Sequence, residues 1–300
     1  LVFFKRSMPD LKRTNRNFRK FITCDVDHII DPASCSFTKT IKRFFARIFR
    51  DKLLILAFKD LINFFLVKLN IYKFDSCING IKKIIELNST IGNEVTFNFI
   101  PVETNKDFDR NIIFESEQAR TILRLIDSNG HKIGFHPGYN TFNDQEAFRD
   151  SLHVFKNNLK SLNISTNFIG GRQHYLRFDV STTPMIWEKM KLQYDSSLAY
   201  AEKSGFRCGI CYEFPMYDLM SRKSMNLLQR PLILMEGTII EYEGLGYSEK
   251  AKSKFKYFKD ICKQFNGDFT LLWHNSKFYH PKARTLYKKL ISMKLGNKRC

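Results

Sequence analysis

Val95-Thr-Phe-Asn-Phe-Ile100, closed by Pro101, is β-branched and aromatic and reads as a strand. Ser116-Glu-Gln-Ala-Arg-Thr-Ile-Leu-Arg-Leu-Ile126 follows with helical spacing. It stops at Asn129-Gly130, where a glycine past the last turn suits a helix end. Lys132-Ile-Gly-Phe-His136 is then a second short strand running into a loop. Strand, helix, strand in this order is one crossover unit, and the pattern repeats outward from it. Downstream, a helix spans about Asp144 to Leu162, with Phe148, Leu152, Phe155, Leu159 and Leu162 on one apolar stripe. Thr182-Thr-Pro184 opens another helix, the proline fitting its first turn. Arg230-Pro-Leu-Ile-Leu-Met235 reads as a strand, Ser248 to Phe265 as a helix, Asp268-Phe-Thr-Leu-Leu-Trp273 as a strand, and His280-Pro-Lys as the start of a last helix. Upstream, Phe21-Ile-Thr-Cys-Asp25-Val-Asp27 is an apolar strand ending in two carboxylates. Alternating strands and helices predict a mostly parallel sheet, and a βα barrel fits 300 residues.

Composition bounds the class. With 43% hydrophobic and 26% charged residues, the chain is globular and long enough for a core without staples. The formal charge of +19 points to an acidic partner such as nucleic acid, a membrane surface or an anionic glycan. Residues 1–73 hold 16 Lys/Arg against 6 Asp/Glu, with basic blocks at Lys12-Arg13 and Arg19-Lys20. No zinc-finger spacing, glycine-rich RNA motif or basic zipper accompanies them, so the basic region reads as a solvated surface rather than a nucleic-acid site. Seven cysteines, irregularly spaced, read as reduced thiols. Cys208-Gly-Ile-Cys211 is a lone CxxC without two further ligands for a structural zinc. Residues 41–70 are rich in Phe, Leu and Ile, but Lys59 and Asp60 break the run, far short of a membrane span. The segment reads as an amphipathic helix with a basic face that packs on the body of the protein, a bilayer surface being the alternative.

In a βα barrel the chemistry sits at the C-terminal ends of the strands. Four places qualify: Asp25/Asp27, His136, Arg172 and His274. Residues i and i+2 of a strand face one side, so Asp25 and Asp27 can share a pocket. Two close carboxylates need a cation nearby, which suggests a metal ligand plus a general base; a solvated acidic loop is the alternative. His136 follows a strand and offers an imidazole ligand, while His131 enters from the opposite end and reads as structural. Asn140 offers an amide oxygen or a turn. His274 is placed to protonate a leaving group. Together these ends point to metal-assisted hydrolysis. Arg172 and Arg177 read otherwise as ordinary strand-end arginines, Asp195, Arg207 and Glu213 as a structural ion-pair set, and Trp187 as core.

Six motifs, in order, resemble the polysaccharide deacetylase (NodB-homology) family. They are Thr23-Cys-Asp-Val-Asp27, Gly130-His-Lys-Ile-Gly-Phe-His-Pro-Gly-Tyr-Asn-Thr141, Gly171-Arg-Gln-His-Tyr-Leu-Arg177, Tyr194-Asp-Ser-Ser-Leu-Ala-Tyr200, Gly205-Phe-Arg-Cys-Gly209 and Leu271-Leu-Trp-His-Asn-Ser276. The resemblance runs from about Phe4 to the C-terminus and is closest to a bacterial branch found with surface-polysaccharide genes. In that branch a further domain often precedes this region, so a chain beginning at Leu1 is expected to be a fragment. The resemblance implies an incomplete (β/α) barrel over residues 20–300, with a helical insertion at about 38–72 and a basic leading segment or linker at 1–19. It implies a divalent metal, most often zinc, and removal of N- or O-linked acetyl groups from a polysaccharide or lipid-linked glycan precursor. In that family a metal-activated water attacks the acetyl carbonyl, an Asp is the base and a His protonates the leaving group. By position Asp25 is the base, Arg172 holds it, and His274 is the acid. Asp27, His136 and Asn140 are the metal positions. Val26 separates Asp25 from Asp27 where the family has adjacent aspartates, and Asn140 stands where the family has a second histidine. Tyr175 lines the pocket, and Leu271 and Trp273 wall the acetyl site. The expected location is cytoplasmic or peripheral to the inner membrane. Asn140 motivates a second reading, a catalytically impaired glycan-binding member of the same fold. The basic residues 1–73 motivate a third, a surface protein for nucleic acid or membrane.

Overall fold

The computed structural model describes residues 16–110, 113–167 and 169–292. In chain order, β1 (Arg19–Val26) is followed by α1 (Phe37–Phe49), α2 (Leu54–Lys68), α3 (Ser76–Ser89), β2 (Val95–Phe99), α4 (Glu117–Ser128), β3 (Lys132–Phe135) and α5 (Gln145–Ser161). Then come α6 (Thr183–Lys189), β4 (Tyr194–Asp195), β5 (Phe214–Asp218), β6 (Lys223–Gln229), β7 (Leu234–Met235), α7 (Glu249–Gln264), β8 (Asp268–Leu272) and α8 (Pro281–Ser292).

β1 lies at the centre of a parallel five-stranded sheet ordered β3-β2-β1-β8-β7. Its last five residues are all buried, as expected of a strand covered on both faces. Single bridges, Phe135 to Gly171 and Gly171 to Asp195, carry the sheet on to β4, β6 and β5. β7 at one end and β5 at the other do not pair, so the fold is an incomplete (β/α) barrel. Gly171 is required where the chain crosses β3, because a Cβ there would stand 1.8 Å from the Phe135 carbonyl oxygen. That close approach sets Arg172 and the residues after it beside the end of β3.

The helices cover the sheet by their apolar stripes. α4 buries Ala119, Ile122, Leu123 and Ile126, and Ser116 caps its start through the Ala119 amide. α5 buries Phe148, Leu152, Phe155 and Leu159, with Asp144 as its cap. Phe135, Phe148, Phe155 and Trp187 form one aromatic cluster, its ring centroids 5.2–6.3 Å apart. Each such ring contributes about 1.5–3 kcal/mol by leaving water.

Three sequence expectations change. Residues 41–70 are not one helix: the chain turns between Arg50 and Leu53, where Lys52 has φ +55°, and returns as α2. Only Leu234–Met235 of the expected 230–235 strand is a strand beside β8, because the Arg230 amide still belongs to the β6–β4 pairing and donates to the Asp195 carbonyl. Asp195, Arg207 and Glu213 are not an ion-pair set. Asp195 accepts from Ser197, Arg207 donates to the Ala199 carbonyl, and Glu213 pairs with Arg19 and Arg230. Cys208 and Cys211 join no metal-binding group among the described residues. Lys12, Arg13 and Cys300 lie outside the described residues. No helix among the described residues is long and apolar enough to cross a membrane.

Candidate active site

The C-terminal ends of β1, β3, β7 and β8 open into one cleft of about 350 Å³. Asp25, Asp27, His136, His174, Tyr175, Glu236 and His274 all line it. Asp25 is buried at the end of β1. Its Oδ1 accepts from Asn98 Nδ2 at 2.7 Å and from Arg172 Nη1 at 3.1 Å. Arg172 is fully buried, and its other donors reach Thr23 Oγ1, the Ser196 carbonyl and Ser196 Oγ. Burial opposes ionisation of Asp25, yet the Arg172 guanidinium, with His136 and His274 beside it, holds the carboxyl below its ordinary range.

Three imidazoles converge on Asp27. His136 Nε2 is 3.6 Å and His174 Nε2 3.9 Å from its Oδ1, while His274 Nε2 is 3.8 Å from its Oδ2. In each ring Nδ1 is already engaged. His136 Nδ1 donates to the Arg172 carbonyl, His174 Nδ1 to Asp109 Oδ1 and His274 Nδ1 to Glu236 Oε1, all at 2.6 Å. Each Nε2 is therefore the atom offered to the cleft. Burial works against ionised Asp27, but His274, His136 and His174 pull its carboxyl below the usual carboxylate range. His274 is shifted the other way: burial opposes its charge, and Glu236, Asp27 and Asp25 outweigh that and lift it to about 10.

The donor set fits a divalent cation. One ligand atom from each of Asp27, His136 and His174 lies within 4.8 Å of the others. Asp27 Oδ1 is buried without a hydrogen-bond partner, an acceptor aimed at the two imidazoles. Two imidazoles and a carboxylate, each His braced at Nδ1, are the ligand types and bracing of a zinc-class site with an open position.

The structure brings together Asp25, Asp27, His136, Arg172, Tyr175 and His274, all expected from the sequence, and leaves three others out. Asn140 is exposed and turned away; its Nδ2 donates to the Thr104 carbonyl at 2.8 Å and its amide to Thr104 Oγ1. His174 stands beside Asp27 and His136 instead. Leu271 and Trp273 point to the other face of β8 and are buried in the core, Trp273 against Phe255 and Tyr287. Strand parity makes Leu272, which precedes His274 by two, the wall of the cleft. Three supporting residues were not anticipated. Glu236 follows β7 as the other carboxylates follow their strands, a readable signal; His174 opens a short 3-10 turn two residues past Arg172 and carried none. Asp109 sits in a loop and carried none.

At the rim, Tyr175 and Leu176 take φ values of +58° and +54°, strained for non-glycine residues. Tyr175 joins Phe108 and Tyr139 in an aromatic group, with Phe108 stacked on Tyr139 at 4.1 Å.

Neither the family models nor the curated proteins compared with this chain give a match. Solved structures do. A Mycobacterium smegmatis protein described as a polysaccharide deacetylase aligns with a TM-score of 0.54 at 15% identity, over 94% of this chain and 87% of that one. PuuE allantoinase aligns with a TM-score of 0.56 at 10% identity, over 92% and 83%. A Pseudomonas aeruginosa PAO1 protein described as a polysaccharide deacetylase aligns with a TM-score of 0.50 at 13% identity, over 73% and 69%. At these identities the likeness establishes the fold, that of the polysaccharide deacetylases and allantoinase.

Proposed function

We propose that this protein is a metal-dependent hydrolase that removes acetyl groups, N- or O-linked, from a polysaccharide or lipid-linked glycan precursor. The observation that carries the reading is the convergence of three Nδ1-anchored imidazoles on the carboxylate of Asp27, with a second buried carboxylate, Asp25, beside them. Asp27, His136 and His174 would hold the divalent ion, zinc by donor chemistry, and it would supply a Lewis acid for the carbonyl and an acidified water. Asp25 is kept ionised by Arg172, so it is ready to take the proton of the attacking water. His274 holds a proton at neutral pH, and Glu236 fixes its ring so that Nε2–H faces the cleft. From there it donates to the departing amine or alkoxide. Leu272, Met235 and Ala201 give the cleft apolar walls suited to an acetyl methyl. Tyr175 and Tyr242, both exposed at its mouth, suit the apolar face of a sugar ring.

The reading as a non-catalytic glycan binder rested on Asn140 as a defective ligand. His174 beside Asp27 and His136 offers a third donor in place of Asn140, which supports the catalytic reading over that one. The proposal is tested by acetate release from acetylated oligosaccharides, with metal content measured on the same samples. Expected are about one divalent ion per chain and release that stops on chelation and returns with zinc. Full metal content in both Asp27→Ala and His136→Ala would overturn the site. Retained glycan binding with no acetate from any acetylated substrate would overturn the activity.

A further inference from the structure

The hairpin of α1 and α2 is turned inside out. Phe37 meets Phe64 and Phe44 meets Phe58, so the helices run antiparallel. Apart from Ala57, the residues the hairpin buries are polar: Thr40 and Arg47 from α1, Asp60 and Asn63 from α2. Arg47 Nε pairs with Asp60 Oδ2 there, and its guanidinium lies 4.2 Å over the Tyr279 ring. The outward face is apolar. Phe45 and Phe49 on α1, Ile55, Phe58, Ile62 and Phe65 on α2, and Leu69 just past its end recur every three or four residues and are exposed, Phe49 to 75% and Ile55 to 76%. A helix packed only for its own fold does the reverse. A contiguous exposed apolar face of this kind marks an interaction surface.

The charge around this face selects the occupant. Residues 37–73 carry nine Lys/Arg and two Asp/Glu. Both acids are paired with the hairpin's own arginines, Asp60 with Arg43 and Arg47, Asp51 with Arg50. Lys39, Lys42, Lys52, Lys59 and Lys68 are exposed. A second copy would bring the same positive charge face to face. Residues 1–15 and 293–300 of this chain are themselves basic, each with a net charge of +3. We propose that the α1–α2 hairpin is a membrane-docking surface that lies in the headgroup region of a bilayer containing anionic lipid. Its phenylalanines and leucines enter the acyl boundary, and its lysines meet the negative headgroups.

The hairpin also adjoins the cleft. Arg43, Arg47 and Arg50 line a neighbouring cavity together with His28, Ser276 and Lys277, three residues that border the cleft as well. Docking would therefore hold the cleft beside the lipid surface, where a lipid-linked glycan presents its sugars. That consequence rests on the deacetylase reading; the docking itself does not.

The test is sedimentation of the full chain with vesicles of phosphatidylcholine alone, or with about a third phosphatidylglycerol. Two variants are compared: Phe49→Ser/Ile55→Ser/Phe65→Ser, and Lys39→Gln/Lys42→Gln/Lys59→Gln. Wild type is expected to bind the phosphatidylglycerol vesicles, more weakly as salt rises. Each variant is expected to lose at least about tenfold in binding while keeping the wild-type melting temperature. No wild-type binding to anionic vesicles, equal binding to both vesicle types, or undiminished binding by the serine variant overturns the proposal. So does a wild-type dimer that the serine substitutions dissociate without any vesicle binding, which assigns the face to self-association. If binding behaves as expected while no acetate is released from soluble substrates, docking stands and the deacetylase reading falls.

Discussion

His174 Nδ1 stands 2.6 Å from Asp109 Oδ1, so a loop carboxylate orients the imidazole that faces Asp27. Asp109 is fully buried and is itself held by the amides of Thr104, Asn105 and Tyr139. The His174 and Thr104 hydrogen bonds keep it ionised despite burial. A brace of this kind sets which ring nitrogen is free for a metal. Asp109→Asn is expected to weaken zinc binding by about 10- to 100-fold, read by competition with a chelating dye. Unchanged affinity would remove Asp109 from the support of the site.

Arg172 and Asp25 form an ion pair with both partners buried, at 3.1 Å. Replacing one partner leaves the other charge without compensation in a dry site. Arg172→Met is expected to lower stability by about 3–5 kcal/mol in urea unfolding. The double variant Arg172→Met/Asp25→Asn should recover much of that loss, because the charge is removed with its partner. A double variant no more stable than Arg172→Met alone would show that the arginine acts mainly through Thr23 and Ser196.

Much of this was legible in the sequence because it follows from periodicity. Strands and helices with two-sided or one-sided apolar patterns announced the barrel, and polar residues directly after apolar strands announced Asp25, Asp27, His136 and His274. What escaped depended on parity and on distance. Leu271 and Leu272 differ only in which face of β8 they occupy, and one step of register moved the apolar wall of the cleft from one to the other. His174 reaches Asp27 only because Gly171 lets the chain cross β3 at close approach, a contact without a local pattern. In the α1–α2 hairpin the apolar period suggests a buried face, whereas Arg47 and Asp60 occupy that position.

Asp195 is buried at the end of β4 with its carboxyl against Ser197. Burial pushes it up to about 6, outweighing the Ser197 hydrogen bonds that favour the charged form. The folded chain thus keeps a proton that the unfolded chain releases near pH 4. Stability from this group is complete below about pH 4 and is lost as pH rises to about 6, a change of about 3 kcal/mol. Asp195→Asn keeps the shape without the titration. Its stability relative to wild type should therefore rise between pH 4 and 6 and level off above. Parallel stability curves across that range would show that Asp195 is ionised throughout.

His274 and Glu236 bear on leaving-group chemistry rather than on metal binding. His274 Nε2 faces Asp27 Oδ2, whereas His136 and His174 face Oδ1, and Glu236 Oε1 accepts from both the His274 ring Nδ1 and its backbone amide. If His274 gives its proton to the departing group, the need for it depends on that group's basicity. His274→Gln is expected to lower acetate release from an acetamido sugar by about 100- to 10,000-fold, because an amine cannot depart unprotonated. With an aryl acetate, whose phenolate departs without a proton, the same variant should stay within about tenfold of wild type. Zinc content should match wild type in both cases. An equal loss on the two substrates would assign His274 to metal binding or substrate positioning instead of proton donation.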